Sequence, residues 1–110
     1  MIVEVVGGAD ERPEVRVVDV DDLSRLHLAL GEVTDDEADE ALRSAGLGRI
    51  LDAENGLLDA GALRSAARAE ASGGDWEQRF EDMLGQARDK GWVADDGGSL
   101  RVHIESAAGA

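Results

Sequence analysis

Cysteine is absent from this 110-residue chain. That excludes a disulfide scaffold, a thiolate zinc site and a cysteine nucleophile. Tyrosine is absent too, and only Trp76, Phe80 and Trp92 are aromatic. Pro13 is the single proline and Lys90 the single lysine. Arginine as the main base, with abundant Ala, Gly and Asp, suits a GC-rich bacterial genome and carries no functional weight. No apolar run approaches the roughly 20 residues a membrane helix needs. No basic region followed by a long apolar stretch opens the chain, so no signal peptide is expected and the cytoplasm is the default location.

What remains is acidic. The formal net charge is −14, from 25 Asp and Glu against 11 Lys and Arg. Such a field repels nucleic-acid phosphates and anionic membrane surfaces, so neither is an expected partner. Basic protein surfaces and cations are compatible with it. The length suits one domain, read here as residues 1–105 with a frayed tail over 106–110. Apolar residues make up 43%, many of them alanine, so the core must come mainly from Val, Leu and Ile. Each fully buried side chain of that kind contributes roughly 1.5–3 kcal/mol.

Met1–Val6 is a β-rich run closed by Gly7-Gly8, and Val15, Val17, Val18 and Val20 make a second. They read as neighbouring strands, a hairpin with a long loop. Residues 21–31 fit either a helix carrying Leu23, Leu26 and Leu30 or a strand alternating Leu26, Leu28 and Leu30; a short turn and then a strand is preferred. Thr34-Asp35-Asp36-Glu37 is a capping box, with Gly46 as the helix stop. Ile50-Leu51 and Leu57-Leu58 flank a turn signal at Asn55-Gly56. Asp59 caps a helix over 60–71, and Asp75 caps another over 76–90. In the last, Trp76, Phe80, Met83, Leu84 and Ala87 form one apolar stripe. Trp92-Val93 and the alternating Leu100, Val102 and Ile104 make a C-terminal hairpin. With so few large apolar side chains available, both Trp76 and Trp92 are expected in the core.

The expected fold is α+β: a small antiparallel sheet packed against about three helices. Over residues 34–105 the order helix, hairpin, helix, helix, hairpin resembles a winged-helix module, with residues 92–105 as the wing. A DNA-binding role does not follow, because the equivalent of the recognition helix exposes more acids than bases.

No catalytic residue, metal ligand or cofactor is assigned. Asp52-Ala53-Glu54-Asn55-Gly56-Leu57-Leu58-Asp59 resembles part of a calcium loop, but Leu51, Ala53 and Ala62 fall where carboxylates are needed, so it reads as a turn. The acidic groups Asp19, Asp21, Asp22 and Asp35, Asp36, Glu37, Asp39, Glu40 read as a solvated loop and a dipole-matched helix start. The leading functional expectation is a non-enzymatic interaction or regulatory module that binds a basic protein surface. Its contact residues would be Glu77, Glu81, Asp82, Asp89, Asp95 and Asp96. The alternative is an enzyme or small-molecule binder with a pocket around His27 and His103, beside Asp19 or Glu105. A homo-oligomer is compatible with so thin a core.

Overall fold

The two β-branched runs at the N-terminus become β1 (Ile2–Gly8) and β2 (Glu11–Val18), paired antiparallel from Ile2↔Val18 to Gly8↔Glu11. They are seen in a computed structural model of the chain, which describes residues 1–8, 11–23, 26–94 and 98–106. The strands extend further toward the turn than the valines alone predict. Pro13 is tolerated because β2 is an edge strand.

After β2 the chain turns at Asp19, whose φ of 51° is a left-handed conformation that Asp tolerates better than most residues. It then returns to the start of β1, where the His27 N–H meets the Met1 carbonyl at 3.4 Å. The next strand, β3 (His27–Gly31), therefore runs parallel to β1. The strand reading of this segment is the right one. The remaining strands are β4 (Gly48–Ile50), β5 (Asn55–Asp59) and β6 (Ser99–Ser106). Together they form one six-stranded sheet in the order β2-β1-β3-β6-β5-β4. The α+β class holds, but the sheet is mixed rather than small and antiparallel. Alternation identifies strands without giving their direction, and here the crossovers set it: β1, β3 and β6 are parallel neighbours.

Three helices cover one face: α1 (Asp35–Ser44), α2 (Ala60–Arg68) and α3 (Trp76–Asp89). Their buried residues are Ala38 and Leu42, Leu63 and Ala67, and Trp76, Phe80 and Ala87. These join Val3, Val5, Leu28, Leu58, Leu100 and Val102 in one core. Phe80 and Trp76 stack at 5.1 Å between ring centroids, and the Trp76 indole N–H donates to the Val20 carbonyl at 2.7 Å. Met83 and Leu84 are only half-buried, so the centre of the core sits one turn earlier on α3 than the stripe suggests.

The caps follow the sequence at two of three helices. Thr34 Oγ accepts from the Glu37 N–H and Glu37 Oε1 from the Thr34 N–H, completing the capping box. Asp59 accepts from the Ala62 N–H at 2.8 Å. Asp75 makes no side-chain cap, because its backbone does not take the extended conformation a capping residue needs. Asn55-Gly56 is not the turn but the start of β5. Asp52 folds the preceding residues instead, accepting from the Glu54 and Asn55 N–H groups. Gly56 is needed where it is because a Cβ there would lie 2.9 Å from Leu28 Cδ2. The C-terminal hairpin closes through a single bridge, Val93↔Leu100, while β6 itself lies inside the sheet. Trp92 is 49% exposed, contrary to the core position expected of it. Gly91, at φ 76°, turns the chain there, and Lys90 Nζ sits 4.7 Å from the Trp92 ring centroid.

Candidate functional site

Strand alternation gives the sheet a second face, opposite the helices. It carries Glu14, Arg16 and Val18 on β2, Ile2, Glu4 and Val6 on β1, and His27 and Ala29 on β3. Beyond them come Arg101, His103 and Glu105 on β6, Asn55 and Leu57 on β5, and Arg49 on β4. The Leu28↔Ile104 register places His27 beside His103 here.

The two imidazoles stack, with centroids 5.6 Å apart and planes inclined by 18°. Glu105, two residues beyond His103 on the same face, reaches back to both. Its Oε2 lies 3.0 Å from His27 Nε2 and its Oε1 3.1 Å from His103 Nε2. An ionised Glu105 accepts an Nε2–H from each ring when both carry that tautomer. The His27 side chain is 14% exposed and that of His103 60%, so one ring is sheltered and the other open. The arrangement can hold and pass a proton. It lies on an open sheet surface, and neither the groove lined by Asp19 and Asp21 nor the one lined by Arg49 and Leu57 includes these three residues. Among the described residues no set of three His, Asp or Glu side chains is arranged to hold a metal ion.

Asp19, the fourth residue of the expected pocket, does not join this cluster. It lines a groove of about 640 Å³ with Val17, Val18, Val20, Asp21, Asp22 and Glu70. Asp21 there ties the turn to α3: its carboxylate accepts from Ser72 Oγ at 3.0 Å and its carbonyl from Arg79 Nη2 at 2.7 Å.

The acids expected to contact a partner are partly committed within the molecule. Glu77 pairs with Arg68 at 3.3 Å and Glu81 with Arg64, both tying α3 to α2. Asp82 accepts from Gln78 Nε2 at 3.1 Å, and Asp89 is exposed at the end of α3. Asp95 and Asp96 lie outside the described residues. On α1, Asp39 accepts from the Ile50 N–H at 2.8 Å and from Arg43 Nε at 2.7 Å. The backbone N–H, and then the guanidinium, hold its carboxyl below the usual carboxylate range. Asp52 is lowered likewise, first by the Glu54 N–H and then by the Asn55 side chain. Asp52 and Asp59 are thus spent on a turn and a cap, as their reading as an ordinary turn implies.

The sequence alone does not single out Arg49 and Arg101. They flank Leu57 in the register Arg49↔Leu57↔Arg101, and their stems cover it, leaving Leu57 8% exposed. Among the described residues neither makes an ion pair. The alternation of β6 signals Arg101; nothing local signals its neighbour across two strands.

No family model matches the chain, and no curated protein or solved structure matches it significantly. Among the described residues no helix is long and apolar enough to cross a membrane.

Proposed function

We propose that this domain is a non-enzymatic interaction module whose acidic helical layer binds a basic protein surface. The observation that carries the reading is the division of labour on the helices. The apolar stripe of α3 is consumed inside, with Trp76 at 2% and Phe80 at 0% exposure. What remains outside carries more acid than base: Glu77, Glu81, Asp82 and Asp89 against Arg79 and Arg88 on α3, and Asp35, Asp36 and Glu40 against Arg43 on α1, all exposed. A nucleic-acid-binding protein is one natural target, with this layer imitating the phosphates of that protein's nucleic-acid ligand. The helix and hairpin order of residues 34–105 supports a winged-helix-like arrangement used for protein contact, although β6 lies inside the sheet rather than in a free wing.

Salt tests the reading. At about 0.1 M the Debye length is about 10 Å and at 1 M about 3 Å, so an electrostatic partner retained at low salt should be lost at high salt. Neutralising Asp35, Asp36, Asp82 and Asp89 to Asn should abolish capture. Removing equal charge at Glu32, Glu54, Glu70 and Asp75, all exposed, should leave most of it. Equal loss from both variants would reduce the effect to net charge and sink the assignment.

A second reading is favoured by one observation, the contact of Glu105 with both imidazoles. It makes the histidine face a proton-handling or small-molecule site. Ligand-dependent shifts of the His27 and His103 ring protons in NMR, absent in Glu105→Gln, would support it over the first.

A further inference from the structure

We infer that the uncovered face of the sheet is a self-association surface, through which two copies of this chain pack face to face about a two-fold axis near the His27–His103 pair.

Two molecules of net charge −14 repel wherever their acidic surfaces meet. On the uncovered face that repulsion is small, because Glu4, Glu14, Asp59 and Glu105 are largely offset there by Arg16, Arg49 and Arg101. The charges are also separated across it. Glu14 and Glu4 occupy the β2–β1 side, with Arg16 3.9 Å from Glu4. Arg49 and Arg101 occupy the β4–β6 side. A two-fold axis lying diagonally in the interface carries each side over the other side of the second copy. Arg49 and Arg101 of one copy then face Glu14 and Glu4 of the other, twice over. An isologous contact requires this kind of self-complementarity.

Apolar content points the same way. Ile2, Val6 and Val18 are half-buried on this face, whereas Ala29 and Leu57 are already covered by their neighbours. Parallel strands are usually covered on both sides, and β1, β3 and β6 are covered on one. With strands about 4.8 Å apart, the face spans roughly 24 Å from β2 to β4, less than a standard interface fills. The dimer is accordingly weak and reversible. It leaves the helical layers of both copies pointing outward.

Sedimentation equilibrium over a protein concentration series tests this. Wild type should show a reversible monomer–dimer equilibrium. Arg49→Glu with Arg101→Glu should weaken it by about 30-fold or more, since four attractive contacts become repulsive. Glu4→Arg with Glu14→Arg should do the same. An equimolar mixture of the two double variants should dimerise again, because their charges are now complementary between chains. A monomer at every concentration, or a dimer unaffected by either reversal, would overturn the inference, as would a mixture that stays monomeric. Circular dichroism establishes that each variant is folded. Amide shifts of the wild type on dilution provide a check free of substitution: they should concentrate at Ile2, His27, His103 and Leu57, and shifts confined to the helices would refute the proposed face.

Discussion

Phe80 is the residue on which the packing argument is most exposed to test. Its side chain is fully buried, stacked on Trp76 at 5.1 Å and covered by the Arg64 guanidinium at 5.3 Å from the ring centroid. Truncating a buried Phe to Ala costs about 3–5 kcal/mol through lost transfer energy and the cavity left behind. Two local features act in opposite directions. Loss of the ring removes the aromatic pair and the cation–π contact, which favours the upper end. Yet Arg64 Nε is buried without a hydrogen-bond partner, and opening the site to water would relieve it. The expected cost for Phe80→Ala is therefore near the middle, about 4 kcal/mol. A domain of this size has a total stability of about 5–15 kcal/mol, so the variant should fold but melt early. Met83→Ala, one turn on and half-buried, should cost only about 1–2 kcal/mol because less apolar area leaves water. Urea unfolding followed by far-ultraviolet circular dichroism measures both. A Phe80→Ala midpoint at or above that of Met83→Ala would refute the placement of the core at the first two turns of α3.

Two glycines should respond in opposite directions. A Cβ at Gly48 would clash with the Leu57 carbonyl oxygen, a backbone atom of the paired strand, so Gly48→Ala should force β4 off β5 and cost at least about 2 kcal/mol in the same urea assay. Gly85 lies inside α3, and a Cβ added there would meet nothing within 4 Å, so Gly85→Ala should gain about 0.5–1 kcal/mol. Asp39 predicts a pH dependence. Its folded pKa is depressed, so the folded state binds its proton less readily than the unfolded chain does. Its contribution is complete above the unfolded value of 3.8 and is lost as pH falls through the folded value. Asp39→Asn should therefore be less stable than wild type at pH 7, and the gap should close on acidification below about pH 4; a gap independent of pH would remove the linkage.

Local chemistry was legible and long-range pairing was not. Thr34 and Glu37 announce a helix start because both partners lie within one turn, and Gly46 and Gly91 announce stops because only the backbone at that point matters. Trp76 and Trp92 look alike as large apolar residues near one helix. They differ because the first belongs to the helical stripe, whereas the second follows a left-handed turn that directs it outward. Asn55-Gly56 misleads for a related reason. The dipeptide suits a turn, but Asp52 satisfies the turn three residues earlier, and the close approach of Leu28 then requires glycine in the strand. The antiparallel expectation failed because strand direction is decided by where the chain re-enters the sheet. The chain re-enters with His27 beside Met1, and no alternation of side chains records that placement.

The same distinction separates the two candidate surfaces. His27 and His103 each stand at an alternate position of an identifiable strand, so their outward placement follows from the sequence. Their contact depends on β3 and β6 being parallel neighbours with Leu28 opposite Ile104, which is a property of the whole sheet. Glu105 then follows from His103 by strand period alone, and Asp19 drops out because it follows β2, two strands from β3 and three from β6. The acidic surface is the reverse case. Its residues are visible in the sequence, but their availability is not, since Arg64 and Arg68 on α2 occupy Glu81 and Glu77. Net charge therefore overstates what α3 offers a partner, and in the proposed contact more would fall to Asp82, Asp89 and the first turn of α1. Because the helical layer and the histidine face lie on opposite sides of one sheet, the proposals made for them can fail independently.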